Sequence, residues 1–445
     1  MWVSPSEIYG QFFICIVLFY ILIACKNTYD INLHKQQFIM KVLWLCANPG
    51  RFHCKKSKGE GWVGALQEEI LNKHTDLQLV CLFSYNKKLP KEIEGNITYY
   101  PIYRSRRNKI KTLFRYSEKN KEYQKKITDI IKDEKPDIIE VWGTELGHGL
   151  IVEQTSIPVV VHIQGLLNPI LDAYFPPGYN LWSILKAEKF NIWGFYWKYY
   201  RIYKLFKYDA IREKRILRSA KYILGRTEWD KTVTHFLAPD AIYFYCAEAL
   251  RSSFYDSNKW EWKYRKELIV TSVINDATYK GVDVILRTAK LLKELYGNNF
   301  RWNVYGINNA IIHERIIGIK ASKVNVHCCG RVSAEIIAEK LLDSDVFCHE
   351  SYIENSPNCV CEAQYLGVPV VSSLAGGTDT IMKDHAGIIV PTNDPYRSAA
   401  AIIHLKEDRA FAENISQKEI AVSKHRHSNV LDQVIKIYTD ILNSQ

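Results

Sequence analysis

The sequence predicts an α/β fold built from two Rossmann-like, doubly wound domains with an interdomain cleft. From Met40 onward, short apolar runs alternate with amphipathic helical stretches, the pattern of parallel sheets with helices on both faces. The alternation occurs twice, and 445 residues of which 47% are apolar suffice for two cores. Two such domains facing each other place a ligand crevice between the carboxyl ends of both sheets.

The first predicted domain spans residues 40–240 and the second spans residues 250–425, with a linker near 240–262. Residues 426–445 are expected to form a final helix that packs back on the first domain. The strands predicted for the first domain are Val42–Ala47, Leu77–Phe83, Ile138–Trp142, Pro158–Ile163 and Tyr222–Gly225. Those predicted for the second are Leu268–Val273, Arg301–Tyr305, Val324–Cys329, Val346–His349, Val368–Ser372 and Gly387–Val390.

Residues 1–39 are a separate hydrophobic extension. The run from Phe12 to Cys25 has 14 apolar residues, fewer than the roughly 20 that a membrane-spanning helix needs. No Lys or Arg precedes it, which disfavours a secretory signal. The extension is therefore interpreted as sequence upstream of a true start at Met40, as a membrane anchor, or as a cleaved or folded segment.

Charge and cysteine content restrict the classes of partner and compartment. The formal net charge of +11 suits anionic partners such as nucleotides or lipid head groups. The chain has 11 cysteines, an odd number without paired CxxC spacing, which argues against a disulfide framework or a zinc site. A reducing, cytoplasmic location is expected.

One segment of the second domain concentrates the chemistry. Pro357 and Gly367 bound a predicted helix from about Pro357 to Leu366, with Ser356 as its cap. The amino end of this helix points out of the carboxyl edge of the sheet and is suited to bind phosphate oxygens. Glu354 precedes the cap and Glu362 lies inside the helix. Two carboxylates on either side of a phosphate site suit a nucleotide sugar, which has hydroxyls on both sides of its diphosphate.

The pair Glu354 and Glu362, followed by Gly367-Val368-Pro369 and by Gly376-Gly377, resembles the E-x7-E signature of the family 4 (group 1) retaining glycosyltransferases. The resemblance covers about 380 residues in order and implies the GT-B fold. It also implies that Glu354 contacts hydroxyls of the donor sugar and that Glu362 contacts the ribose.

Other parts of that family's pattern follow the same order. Lys280-Gly281 resembles the step whose lysine binds the donor diphosphate. The family usually has an arginine five residues earlier, where this chain has Asn275, so Asn275 itself, Arg331 or Arg251 is expected to compensate. The full set of donor-binding candidates is Asn275, Lys280, Arg331, Ser351, Glu354, Ser356, Asn358, Cys359, Val360 and Glu362.

The first domain is expected to supply the acceptor side of the cleft. Gly61, Trp62 and Gly64 resemble the family's glycine-rich acceptor and phosphate loop, and Glu145 is a further acceptor candidate. Gln164 stands where family members commonly have histidine, and His162 lies two residues earlier on the same strand face. The candidate catalytic residues are Glu354, Lys280, Gln164 and His162.

Residues 186–226 interleave basic and aromatic side chains. From Lys189 to Lys207 there are five basic residues, no acids and nine aromatic residues. This composition suits peripheral contact with an anionic membrane, although packing of the aromatics on their own domain explains it equally well. Nothing else in the chain supports nucleic-acid binding.

The resemblance implies a metal-independent enzyme without cofactor that transfers a sugar from a nucleotide-diphosphate sugar to a hydroxyl with retention. The expected acceptor is a glycan or lipid-linked glycan of cell-surface polysaccharide synthesis, at the inner face of the cytoplasmic membrane. The alternatives are a nucleotide-sugar epimerase of the same fold and a non-catalytic nucleotide-sugar-binding or membrane scaffold protein.

Overall fold

A computed structural model describes residues 40–53, 61–73, 76–103 and 116–445. The expectations for residues 1–39 lie outside the described residues, as does the part of the glycine-rich loop before Gly61. Two sheets form the centres of two domains, which confirms the predicted fold class.

The first sheet has eight strands in the order β3-β4-β2-β1-β5-β6-β7-β8, all parallel except β3. The strands are β1 (Met40–Cys46), β2 (Leu77–Tyr85), β3 (Glu92–Glu94), β4 (Ile97–Tyr103), β5 (Ile138–Trp142), β6 (Val159–His162), β7 (Tyr222–Gly225) and β8 (Ile242–Tyr245). The helices between them are α1 (Gly61–Lys73), α2 (Tyr116–Glu134), α3 (Leu167–Asp172), α4 (Leu181–Ala187), α5 (Ile192–Phe195), α6 (Arg201–Ser219) and α7 (Glu228–Leu237). A 3-10 turn covers Gly147–Glu153 and a π turn covers Tyr196–Tyr200.

The second sheet has six parallel strands in the order β11-β10-β9-β12-β13-β14. The strands are β9 (Leu268–Val273), β10 (Phe300–Tyr305), β11 (Val326–Gly330), β12 (Val346–His349), β13 (Val370–Ser373) and β14 (Ile388–Val390). The helices are α8 (Ser252–Tyr255), α9 (Val282–Tyr296), α10 (Ile311–Ile317), α11 (Ala334–Leu342), α12 (Asn358–Leu366), α13 (Thr378–Ile381), α14 (Pro395–Glu407), α15 (Arg409–Arg426) and α16 (Val430–Asn443). Short 3-10 turns lie at Thr278–Lys280, Ala321–Lys323 and Lys383–His385.

The segment expected to be a linker, residues 240–262, is partly regular structure. It contains the edge strand β8, which pairs with β7, and the short helix α8. The sequence also does not predict strands β3 and β4, because β3 is a three-residue strand at the sheet edge and β4, which lies between β3 and β2, has only a short alternation of apolar and polar residues. The other strand boundaries differ from the prediction by two residues at most.

Helix α16 packs on the first domain although it follows the second in the chain. Its inner face joins the core that surrounds Trp44, and the Trp44 indole Nε1 donates a 2.9 Å hydrogen bond to the Tyr438 hydroxyl. That hydroxyl in turn donates to the buried Glu140 carboxylate. The last helix therefore ties the end of the second domain to the centre of the first sheet.

Both sheets change strand order where they face each other. The order reverses between β1 and β5 in the first sheet and between β9 and β12 in the second. The loops that leave these carboxyl ends meet, since Thr227 Oγ1 after β7 donates a 2.8 Å hydrogen bond to Asn355 Oδ1 after β12. We call the region between these loops the cleft.

Candidate functional site

On the second-domain side, the centre of the cleft is an ion-paired group of three side chains. Lys280, in the turn after β9, donates a hydrogen bond to Glu354 Oε1. His349, the last residue of β12, lies with its Nε2 3.2 Å from the same oxygen. The loop after β9 and the loop after β12 are therefore joined by one carboxylate.

The pKa values in this group keep all three charges in place. Burial alone would raise the pKa of Glu354, but Lys280 and His349 lower it to about 2. Burial opposes charge on His349, yet the Cys359 sulfur and the Glu354 carboxylate raise its pKa to about 10. Burial likewise opposes the charge on Lys280, while Glu354 raises its pKa above the ordinary value. The group is thus a set of buried ions held by one another.

Two glycines allow the loops of the cleft to approach closely. Gly281 has a φ of 74°, and a Cβ there would lie 2.3 Å from the carbonyl oxygen of Glu350. Gly376 has a φ of 55°, and a Cβ there would lie 1.9 Å from the carbonyl oxygen of Glu354. Any side chain at either position would displace the loop that carries Glu354.

Helix α12 begins beside this group, but its start differs from the prediction. Pro357 occupies the cap position, and Ser356 does not cap the helix because its hydroxyl donates to the Glu248 carboxylate at 2.7 Å. The amides of Asn358, Cys359 and Val360 form the first turn, where backbone donors lack acceptors four residues back. Cys359 Sγ lies 3.6 Å from His349 Nδ1. The helix start and the ion-paired group are therefore neighbours.

Glu362 lies inside α12 and is held by an arginine. Arg251 Nε and Nη2 each lie 2.7 Å from one Glu362 oxygen, a bidentate ion pair. Burial raises the pKa of Glu362 above its ordinary value, although Arg251 opposes this. Arg251, considered as a substitute cation for the diphosphate, is thus committed to the second glutamate.

The remaining donor candidates have simpler surroundings. Asn275 is exposed and its Oδ1 accepts a 3.0 Å hydrogen bond from the amide of Ala277, closing a turn. Arg331 is exposed after β11. The Ser351 hydroxyl donates to the carbonyl oxygens of Tyr279 and Ile353, so it joins the same two loops that Lys280 and Glu354 join.

On the first-domain side, Glu145 and Gln164 lie together at the ends of β5 and β6. A Cβ on Gly143 would lie 2.0 Å from Glu145 Oε2 and 3.1 Å from Gln164 Cγ, so glycine leaves room for both side chains. Gln164 Oε1 accepts a 3.0 Å hydrogen bond from Trp62 Nε1, and Gln164 Nε2 has no hydrogen-bond partner among the described residues. Burial and the nearby Glu213 raise the pKa of Glu145 to about 7, against the lowering effect of a hydrogen bond from its own backbone amide and of Arg226 and Arg212.

The glycine-rich loop is described only from its end. Gly61 begins α1 with a φ of 64° and has nothing within 4 Å of its Cβ direction. Gly64 packs on the backbone of Gly50 and Arg51. Trp62 is buried and carries the hydrogen bond to Gln164, so it supports the first-domain side of the cleft.

His162 lies in the core and not at the cleft surface, which corrects its prediction as a catalytic candidate. Its ring is fully buried against Trp62 and Trp142, with centroid distances of 4.6 and 4.7 Å, and the two tryptophan rings also contact each other at 4.5 Å. Nδ1 lies 2.5 Å from Glu140 Oε1. Burial lowers the pKa of His162, although Glu140 opposes this. The alternation of side chains along β6 predicted its face correctly, but Trp62 covers that face.

Three site residues were missed from the sequence: His349, Arg226 and Glu248. His349 ends a predicted strand and Arg226 follows another, so position at a carboxyl end was the available signal. No sequence pattern marks Glu248, because it lies in the segment that connects the two domains and meets its partners Arg226 and Ser356 only through the fold. Arg226 Nη1 lies 3.3 Å from Glu248 Oε2, and both side chains are buried.

Two further observations concern the described part of the chain only. Among its residues, no three His, Cys, Asp or Glu side chains cluster in a way that could hold a metal ion. Its helices include none that is both long and apolar enough to span a membrane.

Comparisons with known proteins agree with this geometry. Residues 256–421 match the family model described as glycosyl transferases group 1. A D-inositol 3-phosphate glycosyltransferase of Nocardioides sp. (strain ATCC BAA-499 / JS614) is 33% identical over 86 residues, which span only 19% of this chain and 19% of that protein.

Solved structures resemble the chain over most of its length. Sucrose-phosphate synthase from Thermosynechococcus elongatus has a TM-score of 0.67 at 13% identity, covering 91% of this chain and 100% of that one. WaaG, a glycosyltransferase involved in lipopolysaccharide biosynthesis, has a TM-score of 0.59 at 12% identity, with 91% and 100% covered. Anabaena HepE in complex with UDP and glucose has a TM-score of 0.57 at 12% identity, with 90% and 99% covered. At these identities the likeness shows the shared GT-B fold.

Proposed function

Because residues 256–421 form a group 1 glycosyl transferase domain within a GT-B fold, we propose that this chain transfers a sugar from a nucleotide-diphosphate sugar to a hydroxyl acceptor with retention of configuration. The observation that carries the proposal is the ion-paired group of Lys280, Glu354 and His349 beside the first turn of α12. A lysine, an imidazolium and the helix amides of Asn358 and Cys359 together form a site for an anionic leaving group, while the Val360 amide donates to the Pro357 carbonyl oxygen at 2.9 Å.

The donor is proposed to bind with its diphosphate on Lys280 and on the amides of Asn358 and Cys359. Lys280 then exchanges part of its contact with Glu354 for phosphate oxygens, which frees the Glu354 carboxylate to accept hydroxyls of the donor sugar. Glu362, whose orientation Arg251 fixes from one side, offers its remaining lone pairs to the ribose hydroxyls. These roles follow the order of groups along a nucleotide sugar: ribose, diphosphate and sugar.

The proposed reaction breaks the bond between the anomeric carbon and the diphosphate oxygen. The acceptor oxygen forms its bond to the same face of that carbon, and the hydroxyl proton passes to the departing diphosphate. Negative charge grows on the diphosphate as the bond breaks, where Lys280 and the helix amides stabilise it. The proposal includes no metal ion and no cofactor.

The acceptor is proposed to lie against Glu145 and Gln164. Both present hydrogen-bonding atoms on the first-domain side of the cleft, opposite the donor group. WaaG acts in lipopolysaccharide biosynthesis, and HepE was solved with UDP and glucose. We extend these likenesses to a hexosyl donor and to a glycan or lipid-linked glycan acceptor of cell-surface polysaccharide synthesis.

A lipid-linked acceptor requires a membrane contact, and residues 186–226 together with the neighbouring Trp182 offer one. Part of this region packs inward, since Tyr203 contacts Tyr174 at 5.0 Å between ring centroids. Other large apolar side chains are exposed, namely Trp182, Phe190, Ile192, Trp193, Tyr196, Ile202, Tyr208 and Ile211. Lys198, Arg201, Lys204 and Lys207 lie among them. Exposed aromatics with basic neighbours suit the interface of an anionic membrane, so we propose peripheral contact at the inner face of the cytoplasmic membrane.

The membrane contact is tested by flotation of the full chain with vesicles of neutral or anionic lipid. Wild type is expected to float with anionic vesicles, and Trp182→Ser/Trp193→Ser to float several-fold less. Phe236→Ser/Tyr264→Ser removes two equally exposed aromatics elsewhere and is expected to float as wild type does. Equal flotation of both double variants would contradict this surface.

The transferase proposal is tested by release of nucleoside diphosphate from a panel of nucleotide sugars, with and without membrane lipid extract. Release with one donor that depends on extract and collapses in Glu354→Ala and Lys280→Ala is expected. Lys406→Ala is the matched control, because Lys406 pairs with Asp345 at 3.2 Å at the opposite end of the same sheet. A changed sugar on recovered nucleotide would indicate an epimerase, and binding without turnover would indicate a scaffold.

A further inference from the structure

The net positive charge of the side chains in the cleft is small compared with the negative charge of a diphosphate. Lys280 and His349 share the single Glu354 carboxylate, and Arg251 is neutralised by Glu362. A nucleoside diphosphate carries more than one negative charge, and it gains charge as the sugar leaves. A second cation from elsewhere would stabilise it.

Arg226, the residue after β7, is a buried arginine on the first-domain side of the cleft. It is 5% exposed, and its guanidinium lies over the Trp62 ring at 4.8 Å. Nη2 donates a 3.0 Å hydrogen bond to the Gln164 carbonyl oxygen. Nε and Nη1 have no hydrogen-bond partner among the described residues, although Nη1 lies 3.3 Å from the Glu248 carboxylate. Two of the three guanidinium nitrogens of Arg226 therefore make no hydrogen bond to the described residues.

Glu248, the partner of Arg226, also contacts a residue next to the proposed diphosphate site. Glu248 accepts hydrogen bonds from Ser356 Oγ at 2.7 and 3.0 Å, and Ser356 stands immediately before the cap of α12. The next residue of the first domain, Thr227, bonds Asn355 in the same loop. Arg226 is thus separated from the start of α12 by one carboxylate and one hydroxyl.

We infer that Arg226 is a second diphosphate-binding cation, supplied by the domain opposite Lys280 and held on Glu248 until the donor binds. This inference rests on the proposed function. When a diphosphate occupies the start of α12, the two unused guanidinium nitrogens donate to its oxygens, and the planar fork suits such oxygens better than an ammonium does. Because the arginine belongs to the first domain, diphosphate binding joins the two domains.

A simpler role is that Arg226 only neutralises the buried Glu248. Removing one partner of a buried ion pair is costly whatever else that partner does. The two roles differ in what happens when both charges are removed together, since a neutral pair at 226 and 248 leaves no buried charge but also offers no cation to a diphosphate.

The experiment measures calorimetric affinities of the full chain for UDP, GDP and ADP, each against its monophosphate. Wild type is expected to bind one diphosphate more tightly than its monophosphate. Arg226→Gln is expected to reduce that ratio about 10- to 100-fold, the range for hydrogen bonds to charged groups, with a smaller change for the monophosphate. Arg226→Gln/Glu248→Gln is expected to show the same reduced ratio, and Arg226→Lys an intermediate one.

Each other outcome has one meaning. A wild-type ratio in the double variant would overturn the inference and leave Arg226 as the counter-ion of Glu248. An unchanged ratio in Arg226→Gln would overturn it as well. Binding of no nucleoside diphosphate by wild type would instead overturn the proposed function. Arg265→Gln, which removes a pair with Asp343 far from the cleft, is the matched control, and thermal unfolding verifies that each variant is folded.

Discussion

The carboxylates on the two sides of the cleft differ in their hydrogen-bond and ion-pair partners. On the second-domain side, Glu354 is held by Lys280 and His349, and Glu362 is held by Arg251. On the first-domain side, no side chain among the described residues donates a hydrogen bond to the Glu145 carboxylate, and the adjacent Gln164 Nε2 is also unpartnered. One side therefore consists of paired ions. On the other side, apart from the Arg226–Glu248 pair, the Glu145 carboxylate accepts from its own backbone amide and has no ion-pairing side chain among the described residues, and Gln164 Nε2 has no partner there.

This difference indicates which ligand each side is built for. Cations that carboxylates already hold beside the anion site exchange only part of those contacts when an anion binds, which suits them to stabilise a departing diphosphate. A carboxyl group with a pKa near neutrality and an unpartnered amide suit neutral hydroxyls, because either can accept or donate. Three of the following four predictions change one side at a time and the fourth changes neither, in order of decreasing expected effect on activity.

The largest effect is expected at Lys280. Lys280→Met is expected to lower kcat/KM about 100- to 1000-fold, the usual effect of removing one group that stabilises developing charge. It is also expected to lower the melting temperature, because Glu354 is left with one buried partner fewer. The measurements are nucleoside diphosphate release and thermal unfolding.

The double variant Lys280→Met/Glu354→Gln separates those two effects. It is expected to recover much of the thermal stability, because no unpaired charge remains, but none of the activity. The corresponding pair at the other end of the sheet, Lys406→Met/Asp345→Asn, controls for loss of a buried ion pair as such. Recovery of activity in the first double variant would mean that the ion pair is structural and that the paired side does not bind the diphosphate.

Arg251 is expected to give the second-largest effect. Arg251→Met leaves the Glu362 carboxylate without its bidentate partner, so donor KM is expected to rise about 30-fold, at the low end for breaking a buried charge pair. The value of kcat is expected to change much less, since the ribose is remote from the reacting carbon. Steady-state kinetics with saturating acceptor check this split.

Glu362→Gln is the companion variant for Arg251. If Arg251 acts only by orienting Glu362, the double variant Arg251→Met/Glu362→Gln is expected to be no worse than either single variant. A fully additive loss would show that Arg251 contacts the donor itself. That outcome would add a free cation to the paired side and weaken the contrast between the two sides.

The sequence predicted the paired side better than the unpaired side. The spacing of Glu354, Glu362 and Gly367, and the lysine after a strand, could be recognised because each lies within a short local motif. Which cation meets which carboxylate could not be predicted, because Arg251 and Glu362 are 111 residues apart and meet only through the fold.

The fold shows the same limit. Strands with continuous apolar runs could be located to within two residues, whereas the edge strands β3 and β8, and β4 next to β3, have weak patterns and depend on pairing with neighbouring strands. Serine is a residue type favoured at helix caps, but the Ser356 hydroxyl donates instead to the charged Glu248 carboxylate. His162 lies on the predicted face of β6. Trp62, which is distant in the sequence, packs on that face and separates it from the cleft.

Glu145 tests the unpaired side through pH. Its pKa of about 7 means that it ionises near neutrality, so Glu145→Gln is expected to equal wild type near pH 6 and to be about tenfold less active near pH 8, at the low end for a hydrogen bond to a charged group. The measurement is the pH profile of kcat/KM for the acceptor. An identical profile in the variant would show that the carboxylate does not meet the acceptor.

The raised pKa of Glu145 also predicts how the stability of the wild type and of Glu145→Gln depends on pH. The folded-state pKa lies above the ordinary value, so the contribution of this group to stability is fully present below about pH 4.5 and is lost as the pH rises to about 7. The glutamine variant is expected to lack that loss, and its melting temperature is expected to depend less on pH between 5 and 7. Glu261→Gln, an exposed carboxyl in the segment before β9, is the control.

The smallest effect on activity is expected at His162, which belongs to neither side. His162→Asn keeps a polar group near Glu140 but removes the ring that packs against both Trp62 and Trp142, so stability is expected to fall by about 1–3 kcal/mol. The value of kcat is expected to stay within about twofold at temperatures where the variant is folded, as checked by denaturant unfolding and activity on one sample. A loss of kcat beyond tenfold with stability preserved would place His162 in the reaction, and the unpaired side would then extend beneath Trp62.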